Sequence, residues 1–196
     1  MPTLPTPGQD PWDAALNDVL AEVSNQWLPS DYGLAGWSYD PALCDNAVTT
    51  VNGTLYLNRV NIRRNVTVDN LAWMITTAGA APVAGQNWVG LYTAAGSRIA
   101  QANVDAQVTV TGFKATAVAA VALTPGLYWV ATLFNAGTPP QLLSGVDSTV
   151  RPNLALANAA LRSAVNGTAL TTLPASITPA ANTATGGKPQ FVGVGL

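Results

Sequence analysis

The chain has 196 residues, of which 48% are hydrophobic and only 9% are charged, with a formal net charge of -2. Soluble domains carry about 25% charged residues, and a disordered chain is excluded because disorder goes with high charge and low apolar content. Pro and Gly interrupt every apolar stretch before the roughly 20 residues that a transmembrane helix needs. Because so few charges protect a surface poorly against association, we expect other copies or other proteins to cover much of it.

Residues 1–47 are predicted to form an arm, a helix and a connector. Three prolines among residues 1–9 favour an extended arm. Asp10 can cap a helix, and Pro11 suits the first helical position. An amphipathic helix of about 15 residues, ended by Pro29, is predicted from there. Its apolar stripe, at spacings of four, three and four residues, consists of Trp12, Leu16, Val19 and Val23.

Two heptads are too few for an independent coiled coil. The stripe can therefore pack on its own domain, or it can meet symmetry mates or a larger structure. The proline arm favours the second alternative, so we interpret the stripe as an anchor or oligomer interface. Breakers in residues 30–47 predict an irregular connector. Its rings either cover the β-domain or contact a glycan or partner, and they belong to Tyr32, Trp37 and Tyr39.

Short strand candidates separated by turn signals fill residues 48–150. Asn52-Gly53 is the strongest hairpin signal, and it lies between residues 48–51 and 54–57. Further candidates are residues 60–62, 66–76, 88–93, 97–102, 108–111, 116–123 and 127–134. This spacing predicts a mainly β domain, an antiparallel β-sandwich or jelly roll.

The strand predicted at residues 127–134 has bulky side chains on both alternating faces. One face must enter the core, and a neighbouring subunit or the C-terminal segment must cover the other. Residues 151–196 are expected to form a short helix and an extended tail that packs on the sandwich or on a neighbouring subunit. Helical spacing begins at Asn153 and continues to Val165. A final strand is expected at residues 191–194.

The reactive residues exclude several kinds of chemistry. Histidine is absent and Cys44 is the only cysteine, which excludes zinc sites and His-based triads. We expect Cys44 to be a small, partly buried residue. A hydrolase with paired carboxylates remains conceivable, but the aspartates are scattered singly along the chain. No basic run is longer than Arg63-Arg64, so we expect no nucleic-acid partner, no enzyme activity, no metal or cofactor and no membrane insertion.

Several motifs resemble those of tail and fibre proteins from bacteriophages that infect actinobacteria. They are PVAGQNWVGLY at residues 82–92, the Ala95-Gly96 turn, LTPGLYWVA at residues 123–131 and LTTLPASITPA at residues 170–180. The opening LPTPG, with Trp12 and Leu16-Asn17 after it, resembles the N-termini of phage minor tail proteins. These motifs are turns and strands, so they indicate a fold more than a role.

The resemblance implies a trimeric jelly-roll head that an N-terminal anchor holds in a virion, and it supplies no catalytic residues. The expected function is therefore a virion structural protein of the minor tail or tail-fibre type, assembled in the bacterial host cytoplasm. Its expected partners are further copies of the chain, other tail or capsid proteins, and a host cell-surface glycan. Two alternatives stay open: a capsid decoration or head-fibre protein, and a carbohydrate-binding module.

Overall fold

The structure, a computed structural model, describes residues 27–145, 153–185 and 189–195. These residues are mainly β, with 51% in strands and 10% helical. The strands are β1 (Leu34–Trp37), β2 (Asn46–Thr49), β3 (Tyr56–Ile62), β4 (Val66–Thr77), β5 (Ala80–Pro82), β6 (Trp88–Thr93), β7 (Arg98–Asn103), β8 (Gly112–Leu123), β9 (Gly126–Leu133), β10 (Ala136–Thr138), β11 (Gln141–Ser144), β12 (Ser163–Val165), β13 (Thr183–Ala184) and β14 (Val192–Gly195). Short 3-10 helices span Pro29–Tyr32, Pro41–Leu43, Asp105–Gln107, Asn158–Ala160 and Pro179–Ala181.

Two six-stranded antiparallel sheets curl around one main core as a half-barrel. In the first sheet β8 pairs with one edge of β4, while β14 and β11 share the other edge. Strands β1 and β2 lie beyond them. The second sheet has the order β13-β12-β3-β9-β6-β7, and β5 pairs with β10 in a separate ribbon. The predicted mainly β, antiparallel class is thereby confirmed.

Apolar side chains from both sheets meet in the main core. Trp73 on β4 is its largest member, and its ring packs 5.6 Å from that of Phe134. A buried indole N–H needs a hydrogen-bond partner, and the Nε1 of Trp73 donates to the Oγ1 of Thr116 on β8 at 2.8 Å. The same contact therefore satisfies a buried donor and ties β8 to β4.

Strand β9 is covered on both faces. Val130 and Phe134, the residue that follows the strand, enter the main core, whereas Trp129 and Leu133 face a second apolar cluster. The residues of the C-terminal segment that complete this cluster are Leu161, Ala164, Leu170, Leu173 and Ile177. The second face, which the sequence left to a neighbouring subunit or to the C-terminal segment, is thus covered by the chain itself.

Backbone and side-chain hydrogen bonds hold this C-terminal segment on the second sheet. The N–H of Arg98 donates to the carbonyl of Ala175 at 2.9 Å, and the Tyr92 hydroxyl donates to the Pro174 carbonyl at 2.8 Å. The N–H of Ile177 donates to the carbonyl of Gly96 at 2.8 Å. The segment is therefore fastened along the β6–β7 hairpin.

The hairpin expected at Asn52-Gly53 is wrong, because β2 belongs to the first sheet and β3 to the second. A turn does form there, with the N–H of Thr54 donating to the Val51 carbonyl at 3.1 Å, but the Asn52 side-chain amide pairs with a distant backbone and the flanking strands do not pair. Its Oδ1 accepts from the N–H of Ala136 at 2.9 Å, and its Nδ2 donates to the Ala136 carbonyl at 2.8 Å. The dipeptide thus carries the chain from one sheet to the other.

The C-terminal helix expected from Asn153 to Val165 is also replaced. The 3-10 helix Asn158–Ala160 and strand β12 occupy this range. The Oδ1 of Asn153 accepts from the N–H groups of Arg162 and Ser163 at 2.8 and 3.2 Å, which holds an extended backbone. Tertiary packing on β3 overrides the helical spacing.

Three further predictions have different outcomes. The strand expected at residues 191–194 is present as β14. Residues 108–111 form no strand, because Val108 turns into the main core directly after a 3-10 helix. The N-terminal helix with Trp12, Leu16, Val19 and Val23 falls within residues 1–26, outside the described residues.

Gly96 tests the attachment of the C-terminal segment. Its φ is +97°, and an added Cβ would collide with the carbonyl of Ile177. We expect Gly96→Ala to lower the free energy of unfolding by about 2–4 kcal/mol, combining backbone strain with displacement of the segment. Urea denaturation followed by tryptophan fluorescence measures this loss.

Gly85→Ala is the matched control. Gly85 also has a positive φ, +73°, but nothing lies within 4 Å of an added Cβ. Its loss should stay near the roughly 1–2 kcal/mol of backbone strain alone. Equal losses in the two variants would show that the contact of Gly96 with Ile177 contributes nothing.

Candidate functional site

The outer face of the first sheet, the face turned away from the main core, is largely apolar. On β4 the outward residues include Ala72 and Met74, which pair with Ala115 and Phe113 of β8. Gly193 of β14 lies opposite Ala72 on the other edge. We call this surface the outer face below. Ala72 and Gly193 are buried next to Leu34, whereas Ala115 is exposed, so the outer face is open along β8.

An apolar cavity of about 240 Å³ opens on the outer face. It is lined by Tyr32, Leu34, Pro41, Met74, Phe113, Leu143 and Phe191. Leu34 and Phe191 are buried, whereas Phe113 at the rim is 54% exposed. No charged side chain is among the lining residues, so the cavity suits an apolar group.

Strand β8 continues this surface to the edge of the sheet. Among the described strands it pairs only with β4, and it lies beside β7 without hydrogen-bonded pairing. Sheet edges are usually guarded by charges, proline or short strands. The 12 residues of β8 include one charged residue, Lys114, and its outward side chains Phe113, Ala115 and Ala117 are exposed.

A groove of different chemistry lies where β1 meets β3 and the segment before β12. It consists of a cavity of about 660 Å³ and an adjoining one of about 380 Å³. The side chains that border both are Trp37, Asp40, Leu43, Asn61 and Arg63. Tyr39, Arg59 and Arg162 line only the larger cavity. We call this site the arginine groove.

Arg59 and Arg162 are neighbours in the arginine groove. The backbone N–H of Arg59 donates to the carbonyl of Arg162 at 2.8 Å. The guanidinium of Arg59 lies 4.4 Å from the centroid of the Trp129 ring and donates to the carbonyls of Ala159 and Ala160. That of Arg162 lies 5.4 Å from the Tyr39 ring and donates to the Ser38 carbonyl. Each cation thus lies against a ring and donates to at least one backbone carbonyl.

The charges in the arginine groove are not balanced. The described residues include six cations, of which Arg59, Arg63 and Arg162 line the groove, and five acids, of which only Asp40 does. Within the described part of the chain none of these groups forms an ion pair. Burial lowers the pKa of Arg59 from its usual value, and its Nε is buried without a hydrogen-bond partner. The groove is therefore a positive region on a chain with few charges.

The structure separates the three aromatic residues that the sequence singles out. Trp37 and Tyr39 line the arginine groove, whereas Tyr32 lines the apolar cavity. The rings of Tyr32 and Trp37 are nevertheless only 5.6 Å apart. The two surfaces therefore adjoin, with Trp37 at their border.

Sequence reasoning missed the three arginines of the groove. Arg59 and Arg162 are about a hundred positions apart in the chain, and only the pairing of β12 with β3 brings them together. Arg59 and Arg162 stand alone in the sequence and carry no local signal, and the Arg63-Arg64 pair was considered only as too short a basic run for nucleic acid. The outer face was missed as well, although a long alanine-rich strand with one charge is a signal that could have indicated it.

Cys44 lies beside the apolar cluster under the outer face and is half-buried, as the sequence predicts. Its Sγ donates to the carbonyl of Asp40 at 3.4 Å. Burial, with smaller contributions from the charges of Asp40 and Asp45, raises the pKa of the Cys44 thiol to about 11. The thiol is thus protonated at neutral pH and unsuited to act as a nucleophile.

No protein-family model matches this chain, and a search of curated proteins finds no match. Within the described residues no three Cys, Asp or Glu side chains cluster as a metal site requires. That part of the chain also holds no helix with the length and apolar character to cross a membrane.

The raised pKa of Cys44 predicts slow alkylation of the folded protein. At pH 8 iodoacetamide should modify the native chain at least about tenfold more slowly than the urea-unfolded chain, because only the thiolate reacts. The native rate should keep rising with pH up to about 11, where the thiol ionises. Intact-mass spectrometry of quenched samples measures both rates. Equal rates in the two states at pH 8 would contradict the raised pKa.

Proposed function

We propose that the chain is a structural protein of a bacteriophage virion, of the minor tail or tail-fibre type. In this proposal several copies of a jelly-roll-like β-sandwich associate, and the N-terminal stripe of Trp12, Leu16, Val19 and Val23 anchors them to other virion proteins. The observation that carries the proposal is the exposed apolar side of β8 on the outer face. The sequence motifs at residues 82–92 and 123–131 support the phage class.

The two sheets differ in how much of the face turned away from the main core the chain covers. The chain covers the far face of the second sheet with its own C-terminal residues, including Leu161 and Leu173. No such segment among the described residues lies across β8, where Phe113, Ala115 and Ala117 remain exposed. Exposed apolar surface gains about 25 cal/mol for each Å² removed from water. Burying the exposed β8 side of the outer face against another chain is therefore favourable, whereas the far face of the second sheet is already buried.

A second copy of this chain fits the outer face. Phe113 projects at the rim of a cavity that is lined by apolar and aromatic groups. A knob and a hole of the same chemistry allow the Phe113 ring of one copy to enter the cavity of the next, which is the heterologous contact that closes a ring of copies. The scarcity of charge around them leaves little repulsion between identical faces. The resemblance to phage tail proteins favours three copies, whose repeated weak contacts with a host surface would add through avidity.

Phe113→Asp should weaken self-association. The wild-type chain is expected to be oligomeric at micromolar concentration, and a carboxylate buried in an apolar interface without a partner should raise the dissociation constant by on the order of 100-fold. Sedimentation velocity over a concentration series measures the oligomer distribution. Circular dichroism should show an unchanged β fold, because Phe113 is 54% exposed in the single chain.

Val51→Asp is the control for the added charge. Val51 is 58% exposed, lies in the crossover between the sheets and lines neither the apolar cavity nor the arginine groove. It should leave the oligomer intact. A wild-type chain that stays monomeric, or a Phe113→Asp chain that associates like wild type, would overturn the outer face as the interface.

The virion assignment is tested on particles. Purified particles of the phage that encodes this chain should contain it in several copies, and electron microscopy with a labelled antibody should place it on the tail. Labelling on the capsid would favour the decoration-protein alternative instead. Absence of the chain from purified particles, with its presence in infected cells, would contradict a virion role of either kind.

A further inference from the structure

We infer that the arginine groove binds an acidic saccharide, a glycan whose sugars carry carboxylate or phosphate groups. The inference rests on the proposed function only for the source of this glycan, which is the host cell surface. The chemistry of the groove is independent of the outer face, so the two can be tested separately.

The unbalanced charge of the groove points to an anionic ligand. Three guanidinium groups share one concave site with a single carboxylate, and no ion pair within the described residues neutralises them. Grooves of one sign of charge with apolar walls concentrate ions of the opposite sign. On a chain with 9% charged residues, such a concentration of cations is unusual, and no ion pair among the described residues accounts for it.

The three arginines differ in how many of their hydrogen-bond donors are free for a ligand. Arg59 is held by Trp129 and by two carbonyls, so it mainly contributes a fixed positive field. Arg63 is exposed and makes no hydrogen bond with any described residue, which leaves its whole guanidinium fork for a carboxylate or phosphate. Arg162 is exposed too, and one of its terminal nitrogens is engaged, by the Ser38 carbonyl at 3.3 Å.

The other lining residues suit a sugar better than a bare inorganic ion. Trp37 borders both cavities, so its ring can take the apolar face of a sugar. Asp40 has one carboxylate oxygen engaged by the N–H of Ala42 at 2.8 Å and the other free for a hydroxyl group. The exposed amide of Asn61 has no partner among the described residues. A volume of about 660 Å³ falls within the range of roughly 300–1,000 Å³ usual for ligand sites.

A nucleic acid is the less favoured polyanion. Its binding depends on neutralising many phosphates along a basic track, whereas the groove offers three arginines beside Asp40. No basic run in the sequence is longer than Arg63-Arg64, so the chain offers no extended basic track for a polyphosphate backbone. An acidic glycan, with wider charge spacing and many hydroxyl groups, matches the mixed lining better.

Calorimetric titration with two matched pairs of saccharides tests the inference. Tetragalacturonate is compared with its neutral methyl ester, and maltotetraose phosphate with maltotetraose, so that the arms separate carboxylate from phosphate recognition. We expect at least one acidic saccharide to bind about tenfold or more tightly than its neutral partner, because charge-assisted hydrogen bonds to Arg63 and Arg162 are lost in the neutral form. Added salt should reduce this difference.

Arg63→Gln has a matched control in the adjacent arginine. Arg63→Gln and Arg162→Gln should each weaken the acidic saccharide about fivefold or more and leave the neutral one nearly unchanged. Arg64→Gln should have no effect, because Arg64 carries the same charge but lines neither part of the groove. Trp37→Ala should weaken acidic and neutral saccharides alike. Circular dichroism checks that each variant is folded.

Several outcomes would overturn the inference: no binding of either acidic saccharide, equal binding of acidic and neutral forms, or an Arg64→Gln effect as large as that of Arg63→Gln. Tighter binding of a thymidine hexanucleotide than of both acidic saccharides would assign the groove to nucleic acid instead. Repeating the titration with Phe113→Asp separates the two proposals, since saccharide binding should survive there even if the outer face has no role in assembly.

Discussion

The rest of this structure depends on covering strand β9 from both sides. Its side chains alternate between two apolar sets, one around Val130 and one around Trp129. Neither face can be left in water without losing the burial that stabilises a single domain of this size. The first face is covered by the opposite sheet. The second is covered by residues 161–177, which the chain brings back from its C-terminal third and fastens along β6 and β7.

The return of the C-terminal segment also builds the arginine groove. Strand β12 pairs with β3, and this pairing places Arg162 beside Arg59. The side chain of Asn153 fixes the start of β12 by accepting from the N–H groups of Arg162 and Ser163. The groove is therefore a consequence of the same packing that completes the second cluster. On the outer face of the first sheet Ala72 is buried in a small cluster with Leu34 and Phe191, whereas Phe113, Ala115 and Ala117 of β8 remain exposed. The far face of the second sheet is thus covered within the chain, whereas the exposed β8 side of the first sheet is where we propose that a second copy binds.

The sequence predicted the features that depend on neighbouring residues and failed for those that depend on contacts between distant parts of the chain. The mainly β class followed from short apolar segments between turn residues, which is a local pattern. The same kind of local reasoning was wrong at Asn52-Gly53, where the amide of Asn52 pairs with Ala136 instead of closing a hairpin. It was wrong again for the helix expected from Asn153. In both places a contact distant in the chain outweighed a local preference of about 1 kcal/mol or less per residue.

By itself the sequence determined that the chain is apolar, poor in charge, mainly β and without histidine chemistry, because these properties depend on residue counts and nearest-neighbour spacing. It also singled out Trp37 and Tyr39 as possible contacts. Only the tertiary structure decided which partner covers each face of β9, that the outer side of β8 stays exposed and that Arg162 joins Arg59 and Arg63 in one groove. These features arise from pairing between strands far apart in the chain, and the closing of such long loops leaves no periodic trace in the sequence.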